Sequence, residues 1–309
     1  YEICEGLVGS EMFIRDRMFE QEAYYLAPAK INLFLHVIGR RRDGYHELQT
    51  LFQLLDYGDE LNFKVNKSGV LALHQSISHR SQQIPMDQNL IIRAANVLRE
   101  KRGTPNQGVE ITLRKKIPVG AGLGGGSSDA GTTLRALNQL WNCNLSTAEL
   151  SAIGSQLGAD VPLFVQGSSA WGEGFGEKLT ALKLKAAWYL VLTPDCLVPT
   201  SEIFSQENLT RNSPAIKMAD FLAGQTKTRN DCEPVTRKLF PKVDETLDWL
   251  NQYSEARMSG TGSSVFAQFT NEARAREVLG KIPNGATGFV AQGVNSLESS
   301  DLKSLVAAK

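Results

Sequence analysis

Two spacings of hydrophobic residues alternate along the chain and predict a mixture of strands and helices. From Ala29 onward, apolar residues recur at every second position, which is typical of a strand. The same alternation recurs at 109–113, just before a glycine-rich stretch. Behind that stretch the spacing changes to three and four residues, at Ala130, Leu134 and Leu137, which predicts one buried helix face.

The rest of the chain continues both patterns. Further strands are predicted over 61–65, 70–73, 188–192, 288–294 and after Met258. Further helices are predicted over 89–99, from Ser146, around Val243 and Leu247, and over 272–279. Ser146 opens its helix with a capping box, since Glu149 follows three residues later.

The glycine-rich stretch lies within Lys115–Trp141, between a strand and the helix behind it. Its six glycines are Gly120, Gly122, Gly124, Gly125, Gly126 and Gly131. Glycines allow positive φ and close approach to a ligand, and a helix N-terminus offers free N–H groups to an anion. We therefore expect a phosphate group here, with Ser127, Ser128 and Asp129 supplying the helix N-cap.

Three other interpretations of the glycines are weaker. A dinucleotide-binding fold needs an acidic residue about 20 positions further on, where this chain is still helical. A P-loop needs lysine at the position of Gly126. A flexible hinge needs neither the two serines nor a well-phased helix directly behind it.

Composition narrows the class of protein. The chain has 309 residues, 42% of them hydrophobic, a length that favours two domains. Its 33 basic and 33 acidic residues give zero net charge, so neither nucleic acid nor a membrane surface is an expected partner. No apolar run approaches the roughly 18 residues that a membrane-spanning helix needs.

The cysteines and the first residues complete this picture. Cys4, Cys143, Cys196 and Cys232 are widely spaced, which favours free thiols and a reducing, cytoplasmic location. Residues 1–17 lack the charge and apolar core of a signal peptide. We expect them to be a disordered leader or residues foreign to the native chain.

Three motifs occur in the order found in one family of small-molecule kinases. The stretch Pro118–Ser128, P-V-G-A-G-L-G-G-G-S-S, resembles the phosphate loop of the GHMP kinases, named for galacto-, homoserine, mevalonate and phosphomevalonate kinases. P-A-K-I-N-L at 28–33 resembles their first motif, and M-S-G-T-G-S-S from Met258 resembles their third. The resemblance covers nearly all of the chain from Ala27 onward.

The resemblance implies an α+β fold in two domains. A nucleotide-binding domain over 18–182 is expected to be similar to the second domain of ribosomal protein S5. A smaller α+β domain is expected over 183–309, with the site in the cleft between them.

It also implies ATP and Mg²⁺ as cofactors. The residues expected to hold the ATP phosphates are Gly120, Gly122, Leu123, Gly124, Gly125, Gly126, Ser127 and Ser128. Asn89, Leu90 and Lys115 match positions that border the nucleotide in these kinases. The hydroxyl of Ser127 or Ser128 is expected to reach the metal ion.

Asp160 is the expected catalytic base. On local grounds it is a turn or capping aspartate before Pro162, and Lys30 and Asn32 belong to the solvated face of a strand. In the kinases that L-G-A-D-V-P resembles, however, this aspartate is the proposed base. Lys30 would then stabilise charge in the transition state, and Asn32 would orient the substrate or the phosphate.

D-G-Y-H-E-L at 43–48 points to one branch of the family. Alone, Tyr45 and His46 are an aromatic pair that packs at a loop edge, and Phe204 is an ordinary apolar anchor. The motif resembles kinases whose substrate is a cytidine-diphosphate-linked polyol, 4-diphosphocytidyl-2-C-methyl-D-erythritol, phosphorylated on its C2 hydroxyl. In these, the matching residues hold the cytosine by stacking and hydrogen bonds to its edge.

Two alternatives stay open at the level of sequence. The chain could be another GHMP kinase, acting on mevalonate, homoserine or a sugar, although D-G-Y-H argues against this. It could also be a non-catalytic nucleotide-sensing module, which is expected to lack Lys30 or Asp160. In either case we expect a small-molecule ligand and a monomer or weak homodimer.

Overall fold

The computed structural model describes residues 24–41, 44–76 and 85–297. The expected leader at 1–17 and Asp43 of the D-G-Y-H motif lie outside the described residues. Within these ranges, one sheet of ten strands is combined with nine helices, which confirms the predicted mixture of α and β structure.

The strands follow the chain as β1 (Tyr25–Arg40), β2 (His46–Asn66), β3 (Leu71–Ser76), β4 (Gly108–Arg114), β5 (Ala170–Gly174), β6 (Lys178–Ala181), β7 (Trp188–Pro194), β8 (Ala256–Met258), β9 (Val265–Phe269) and β10 (Ala286–Val294). The helices are α1 (Leu90–Arg102), α2 (Gly125–Leu140), α3 (Thr147–Leu157), α4 (Val161–Gln166), α5 (Thr200–Ser205), α6 (Met218–Leu222), α7 (Glu233–Leu239), α8 (Pro241–Asn251) and α9 (Glu272–Leu279).

The sheet continues through both halves of the chain. Its main path is β3-β4-β2-β10-β7-β9-β8, while β1 and β5 also pair with β2, and β6 pairs with β5. The last strand, β10, pairs antiparallel with β2 and with β7 and so joins early strands to late ones. The domain boundary after residue 182 stays a prediction.

Strand β1 is more deeply buried than its alternating pattern predicts. Lys30 and Asn32 are only 4% and 2% exposed. The backbone N–H of Lys30 donates to the Leu123 carbonyl (3.0 Å), and the backbone N–H of Asn32 donates to Ser259 Oγ (3.2 Å). Because two glycine-rich turns cover this part of the strand, the solvated-face interpretation of Lys30 and Asn32 is wrong.

Strand β2 is much longer than the segment predicted at 61–65. It begins at His46, the last residue of the D-G-Y-H motif, and pairs with β1, β4, β5 and β10 along its length. Its middle, Leu51–Leu55, is buried throughout. A strand covered on both faces shows a continuous apolar run rather than alternation, so the period-two pattern missed it.

Helix α2 begins differently from the prediction. Gly124 is its N-cap, with φ at 73°, and no side chain makes a capping hydrogen bond. Ser127, Ser128 and Asp129 lie inside the helix, so their predicted capping role is wrong. The helix starts with glycines, and its first amides lack acceptors within the helix and remain directed outward.

A hydrophobic cluster below the glycine stretch joins the two halves of the molecule. Its larger buried members are Ile31, Leu55, Ile117, Leu123, Tyr189, Val191 and Phe266. These side chains come from β1, β2, β7, β9 and the glycine stretch itself. Their packing fixes the glycine backbone relative to both halves.

The thiols agree with the sequence expectation where they are described. Cys143, Cys196 and Cys232 are free. Burial raises the pKa of the Cys232 thiol to about 12, which makes that thiol unreactive. Among the helices of the described ranges, none combines the length and the apolar character required to cross a bilayer.

Candidate active site

A first cavity, of about 310 Å³, lies along the glycine stretch, the start of α1 and the end of β4. The predicted residues that line it are Asn89, Leu90, Lys115, Gly120, Gly122, Gly124, Gly125, Gly126 and Ser127. Pro118, Val119 and Asp129 are among the further lining residues. The structure therefore brings nearly the whole predicted nucleotide set around one space.

Leu123 and Ser128 do not line this cavity. The Leu123 side chain is buried, and its carbonyl accepts the amide of Lys30. Ser128 is fully buried, and its Oγ has no hydrogen-bond partner within the described part of the chain. Of the two serines predicted to reach a metal ion, Ser127 is the one that borders the cavity.

Gly122 connects the glycine stretch to the turn after Met258. Its φ is 76°, and a Cβ atom added there would lie 2.3 Å from the carbonyl oxygen of Ser259. Ser259 Oγ donates to the Gly122 carbonyl (2.9 Å). Only glycine permits this approach, which holds two of the three family-like motifs together.

Lys115 lies beside the first cavity between two buried carboxylates. Its ammonium donates to Asp59 Oδ2 (2.6 Å) and to Asp129 Oδ2 (2.7 Å). Burial raises the pKa of Asp129 to about 7, although Lys115 opposes this shift. Burial also lowers the pKa of Lys115, but the two carboxylates outweigh it and the net shift is upward.

Sequence reasoning missed both aspartates as part of the site. Its position at the start of a helix indicates a cap for Asp129, and Asp59 lies in a strand without any motif. Asp59 Oδ1 accepts the backbone amides of Lys116 and Ile117, which ties β2 to the entry of the glycine stretch. A buried lysine needs carboxylate partners, and this need is the one signal that could have suggested the two aspartates.

Lys30, Asn32 and Asp160 come together beside the glycine stretch. Lys30 Nζ lies 3.5 Å from Asp160 Oδ2 and donates to Asn32 Oδ1 (2.7 Å). The side-chain nitrogen of Asn32, Nδ2, donates to Thr50 Oγ1 (2.9 Å), so the side-chain oxygen of Asn32 faces Lys30. The Lys30 side chain is 5% exposed, whereas that of Asp160 is 30% exposed and reachable by a ligand.

Asp160 occupies the N-cap position of α4 but does not act as a cap. Its side chain makes no capping hydrogen bond. It is directed instead to Lys30, on a different element. Of the local interpretation, the turn before Pro162 is confirmed, whereas the capping role of Asp160 is wrong.

A second cavity, of about 460 Å³, contains the three predicted base-binding residues. Tyr45, His46 and Phe204 line it, together with Arg40, Gly44, Leu48, Ala159, Phe175, Thr200, Ser201 and Ser205. Ala159, the residue before Asp160 in the chain, belongs to this lining, whereas Asp160 itself does not. A molecule bound in this cavity would lie near the start of α4, where Asp160 is the N-cap residue.

Two aromatic pairs lie at the second cavity. The rings of His46 and Phe204 stack with centroids 4.9 Å apart, and those of Tyr45 and Phe175 are 6.1 Å apart. Tyr45 is 66% exposed, so one side of the cavity is open. Phe175 was missed by sequence reasoning, since a single phenylalanine between glycines carries no periodic signal.

The comparisons with known proteins agree with these motifs. The family described as GHMP kinases N terminal domain matches residues 89–168, which include the glycine stretch and Asp160. The family described as GHMP kinases C terminal matches residues 209–286.

Relatives similar over most of the chain carry one name. The 4-diphosphocytidyl-2-C-methyl-D-erythritol kinase of Pseudomonas paraeruginosa is 52% identical over 269 residues, 87% of this chain and 93% of that protein. The protein of the same name from Alkalilimnicola ehrlichii is 51% identical over 271 residues, 88% of this chain and 91% of that protein.

Solved structures extend the similarity to the fold. A crystal structure of 4-(cytidine 5'-diphospho)-2C-methyl-D-erythritol kinase is 33% identical and has a TM-score of 0.74, covering 88% of this chain and 100% of its own. Mevalonate kinase of Methanococcus jannaschii is 18% identical, with a TM-score of 0.63, and shares the fold over 90% of this chain and 100% of its own.

Proposed function

Because the chain belongs to the GHMP kinases, we propose that it transfers the γ-phosphoryl group of ATP to the C2 hydroxyl of 4-diphosphocytidyl-2-C-methyl-D-erythritol. Family membership confirms the resemblance seen in the motifs, the α+β fold class and the kinase activity. The observation that carries the substrate is the second cavity, which brings Tyr45, His46 and Phe204 together and is also lined by Ala159, the residue before Asp160.

Each cavity has one lining residue next to the pair Lys30 and Asp160. Gly124 lines the first cavity, and a Cβ atom added to it would lie 3.1 Å from Lys30 Cγ. Ala159 lines the second cavity, and the next residue lies 3.5 Å from the Lys30 ammonium. A nucleotide on one side and an alcohol on the other would therefore react at this pair.

In the proposed step the C2 oxygen of the polyol forms a bond to the γ-phosphorus. The bond between that phosphorus and the oxygen bridging to the β-phosphate breaks, and ADP leaves. Asp160 accepts the proton of the hydroxyl. Such transfer depends on positioning and on charge stabilisation more than on covalent chemistry from the protein.

Lys30 and Asn32 would supply that charge stabilisation and positioning. The Lys30 ammonium has contacts with both Asn32 and Asp160 and is almost fully buried, so its charge is weakly screened. Asn32 is fixed by Thr50, and its oxygen holds the ammonium in place. The lysine is thus preorganised toward charge that develops on the moving phosphoryl oxygens.

The glycine stretch would hold the phosphates through backbone amides. It lines the first cavity at the N-terminus of α2, where N–H groups and the helix dipole favour an anion. Asn89 and Leu90 at the start of α1 and Lys115 at the end of β4 border the same space. We propose these three residues as neighbours of the nucleoside.

The residues present fit a magnesium ion held mainly by the nucleotide. Within the described ranges, no three His, Cys, Asp or Glu residues are grouped as a metal site. Mg²⁺ usually takes one or two protein oxygens besides phosphates and water. Ser127 borders the cavity, and Asp129 Oδ1 is buried there without a hydrogen-bond partner in the described chain. Magnesium so bound would neutralise phosphate charge.

The substrate assignment is tested by magnesium-dependent ADP release. The cytidyl polyol is assayed beside mevalonate, homoserine and galactose. We expect turnover on the cytidyl polyol alone. Asp160→Asn should lower kcat by about 10²- to 10⁴-fold while nucleotide binding is retained. Asp87→Asn, an exposed aspartate outside both cavities, is the matched control and should turn over normally.

The other outcomes separate the alternatives. Turnover on another of the four alcohols would keep the kinase and reject the proposed base cavity. Nucleotide binding without turnover on any of them would support the nucleotide-sensing module. Normal turnover by Asp160→Asn would show that the base is assigned to the wrong residue.

A further inference from the structure

Arg211 contacts His46, a lining residue of the second cavity, but is not itself part of the lining. It belongs to the segment after α5, which carries no motif in the sequence. Its Nε–H group donates to Nε2 of His46 at 3.0 Å. Arg211 can therefore act on a bound molecule only through His46 or through the cavity wall.

The other donors of Arg211 fix its orientation. They bond to four backbone carbonyl oxygens, those of Phe204 (2.9 Å), Gln206 (2.7 Å), Glu207 (3.3 Å) and Leu209 (3.2 Å). Together with the bond to His46, all five N–H groups of the guanidinium are used. The same side chain thus holds the segment that carries Phe204 against the imidazole on which Phe204 stacks.

This contact determines which nitrogen of His46 carries the proton. Arginine has only donors and stays charged, so the ring nitrogen that faces it must offer a lone pair. Burial lowers the pKa of His46, and the charges of Arg211 and Arg40 lower it further, which favours the neutral ring. A neutral imidazole has a single N–H group, which is then on Nδ1.

The Nδ1 atom is the free side of this ring. No described residue forms a hydrogen bond with it, whereas His46 lines the second cavity. Because Arg211 occupies Nε2, Nδ1 is the ring nitrogen that His46 has left to offer a molecule bound in the cavity.

We propose that Arg211 is a positioning residue that makes the second cavity select cytosine over uracil by holding His46 as the Nδ1–H tautomer. The inference rests on the proposed function, which places a cytosine at His46. The N3 atom of cytosine is a lone-pair acceptor and pairs with the Nδ1–H donor. Uracil carries N3–H at the same position, so two donors would face each other and one would remain unpaired.

The first test compares the cytidyl polyol with its uridyl counterpart. For the unchanged enzyme, kcat/KM should favour the cytidyl substrate by about 10- to 100-fold, the range expected for one unpaired buried donor. Arg211→Gln should reduce this preference to within about threefold. Arg99→Gln is the matched control: Arg99 also donates to a loop carbonyl, that of Gly69, but does not contact His46.

A double-mutant cycle shows whether Arg211 acts through His46. The single variant His46→Ala should already lose the preference for cytosine. Adding Arg211→Gln to that variant should change the preference no further. A purely structural role of Arg211 predicts the opposite pattern. Activity on both substrates would then fall by the same factor, and the effects of the two substitutions would add.

The tautomer is observable by nitrogen-15 NMR of the histidine rings, with His46 assigned from the His46→Ala spectrum. We expect Nδ1 protonated and Nε2 unprotonated in the unchanged protein, and loss of this fixed state in Arg211→Gln. A proton on Nε2 of the unchanged protein would overturn the inference.

The outcomes separate this inference from the proposed function. Failure of the unchanged enzyme on both substrates would reject the function and the inference together. Activity on the cytidyl substrate with no base preference, or with a preference that survives in Arg211→Gln, would reject the inference alone.

Discussion

Lys115 is a single cation shared by two buried carboxylates, and its removal would leave both of them without their counter-charge. Asp59 and Asp129 each accept from its ammonium. Removing one partner of a buried ionic cluster typically costs about 3–5 kcal/mol, because an uncompensated charge stays in the interior. We expect Lys115→Met to lower the free energy of unfolding by this amount in urea titrations.

The neighbouring lysine is a matched control for that prediction. Lys116 pairs with Glu60, and its side chain is 43% exposed. Exposed ion pairs contribute less than about 1 kcal/mol, so Lys116→Met should leave stability almost unchanged. Equal losses in the two variants would show that the buried cluster contributes nothing beyond an ordinary surface pair.

Phe204 is expected to affect binding more than chemistry. Its ring lines the second cavity, and base stacking contributes about 1–3 kcal/mol per base. Phe204→Ala should therefore raise KM for the cytidyl polyol by about 5- to 150-fold and change kcat much less. Steady-state kinetics at saturating ATP measure both constants.

Phe289 is the control for this substitution. It also stacks on an aromatic ring, that of Tyr57 at 3.7 Å, but it lines neither cavity. Phe289→Ala should leave KM unchanged. An unchanged KM in Phe204→Ala as well would argue against stacking of the base at this ring.

At the scale of elements, the contact between α2 and α4 sets the position of Asp160. A Cβ atom added to Gly131 of α2 would lie 2.6 Å from Cβ of Phe164 in α4. Gly→Ala normally favours a helix by about 1 kcal/mol. Here overpacking costs about 1–3 kcal/mol, so Gly131→Ala should lower stability, and kcat should fall because α4 begins directly after Asp160.

Gly280 provides the opposite case. It ends α9 with helical φ of −63°, and an added Cβ would meet only ordinary contacts, the nearest at 3.5 Å. Gly280→Ala should raise stability by about 0.4–1 kcal/mol. Thermal unfolding of both variants tests the contrast, and a stabilised Gly131→Ala would contradict the packing argument.

Elements with a single buried face were predictable from the sequence. Helix α9 begins and ends where the pattern predicts, and the capping box of α3 forms between Ser146 and Glu149. The long strand β2 was not predictable, because burial on both faces removes the alternation of apolar and polar residues. The start of α2 was not predictable either, because a glycine N-cap has no side chain that would mark it.

The same contrast holds in the candidate site. Lys30, Asp160 and His46 belong to motifs and were found in the sequence. Asp59 and Arg211 were not, since each gains its role from a partner far away in the chain, Asp59 from Lys115 and Arg211 from His46. Tertiary contacts of this kind leave no local pattern.

At the scale of the whole molecule, the two cavities share no lining residue. Each ligand should therefore bind without the other. A saturating ligand at about 100 times its Kd stabilises a fold by about 2.7 kcal/mol. We expect the unfolding temperature, Tm, to rise with a non-hydrolysable ATP analogue alone and with the cytidyl polyol alone.

Phe204→Ala should change only one of these two shifts in Tm. The shift caused by the polyol should shrink, whereas the shift caused by the nucleotide analogue should persist, because Phe204 lines only the second cavity. Loss of both shifts together would contradict two separate cavities. Oligomeric state and cytoplasmic location stay predictions from the sequence.

Transfer of one phosphoryl group from ATP to the C2 oxygen of the cytidyl polyol is visible in the phosphorus-31 NMR spectrum of the product. We predict one new phosphomonoester signal, coupled to carbon but to no proton on the carrying carbon, because C2 bears none. The two diphosphate signals should persist. A monoester on a carbon that bears hydrogen, or a new triphosphate chain, would contradict the account.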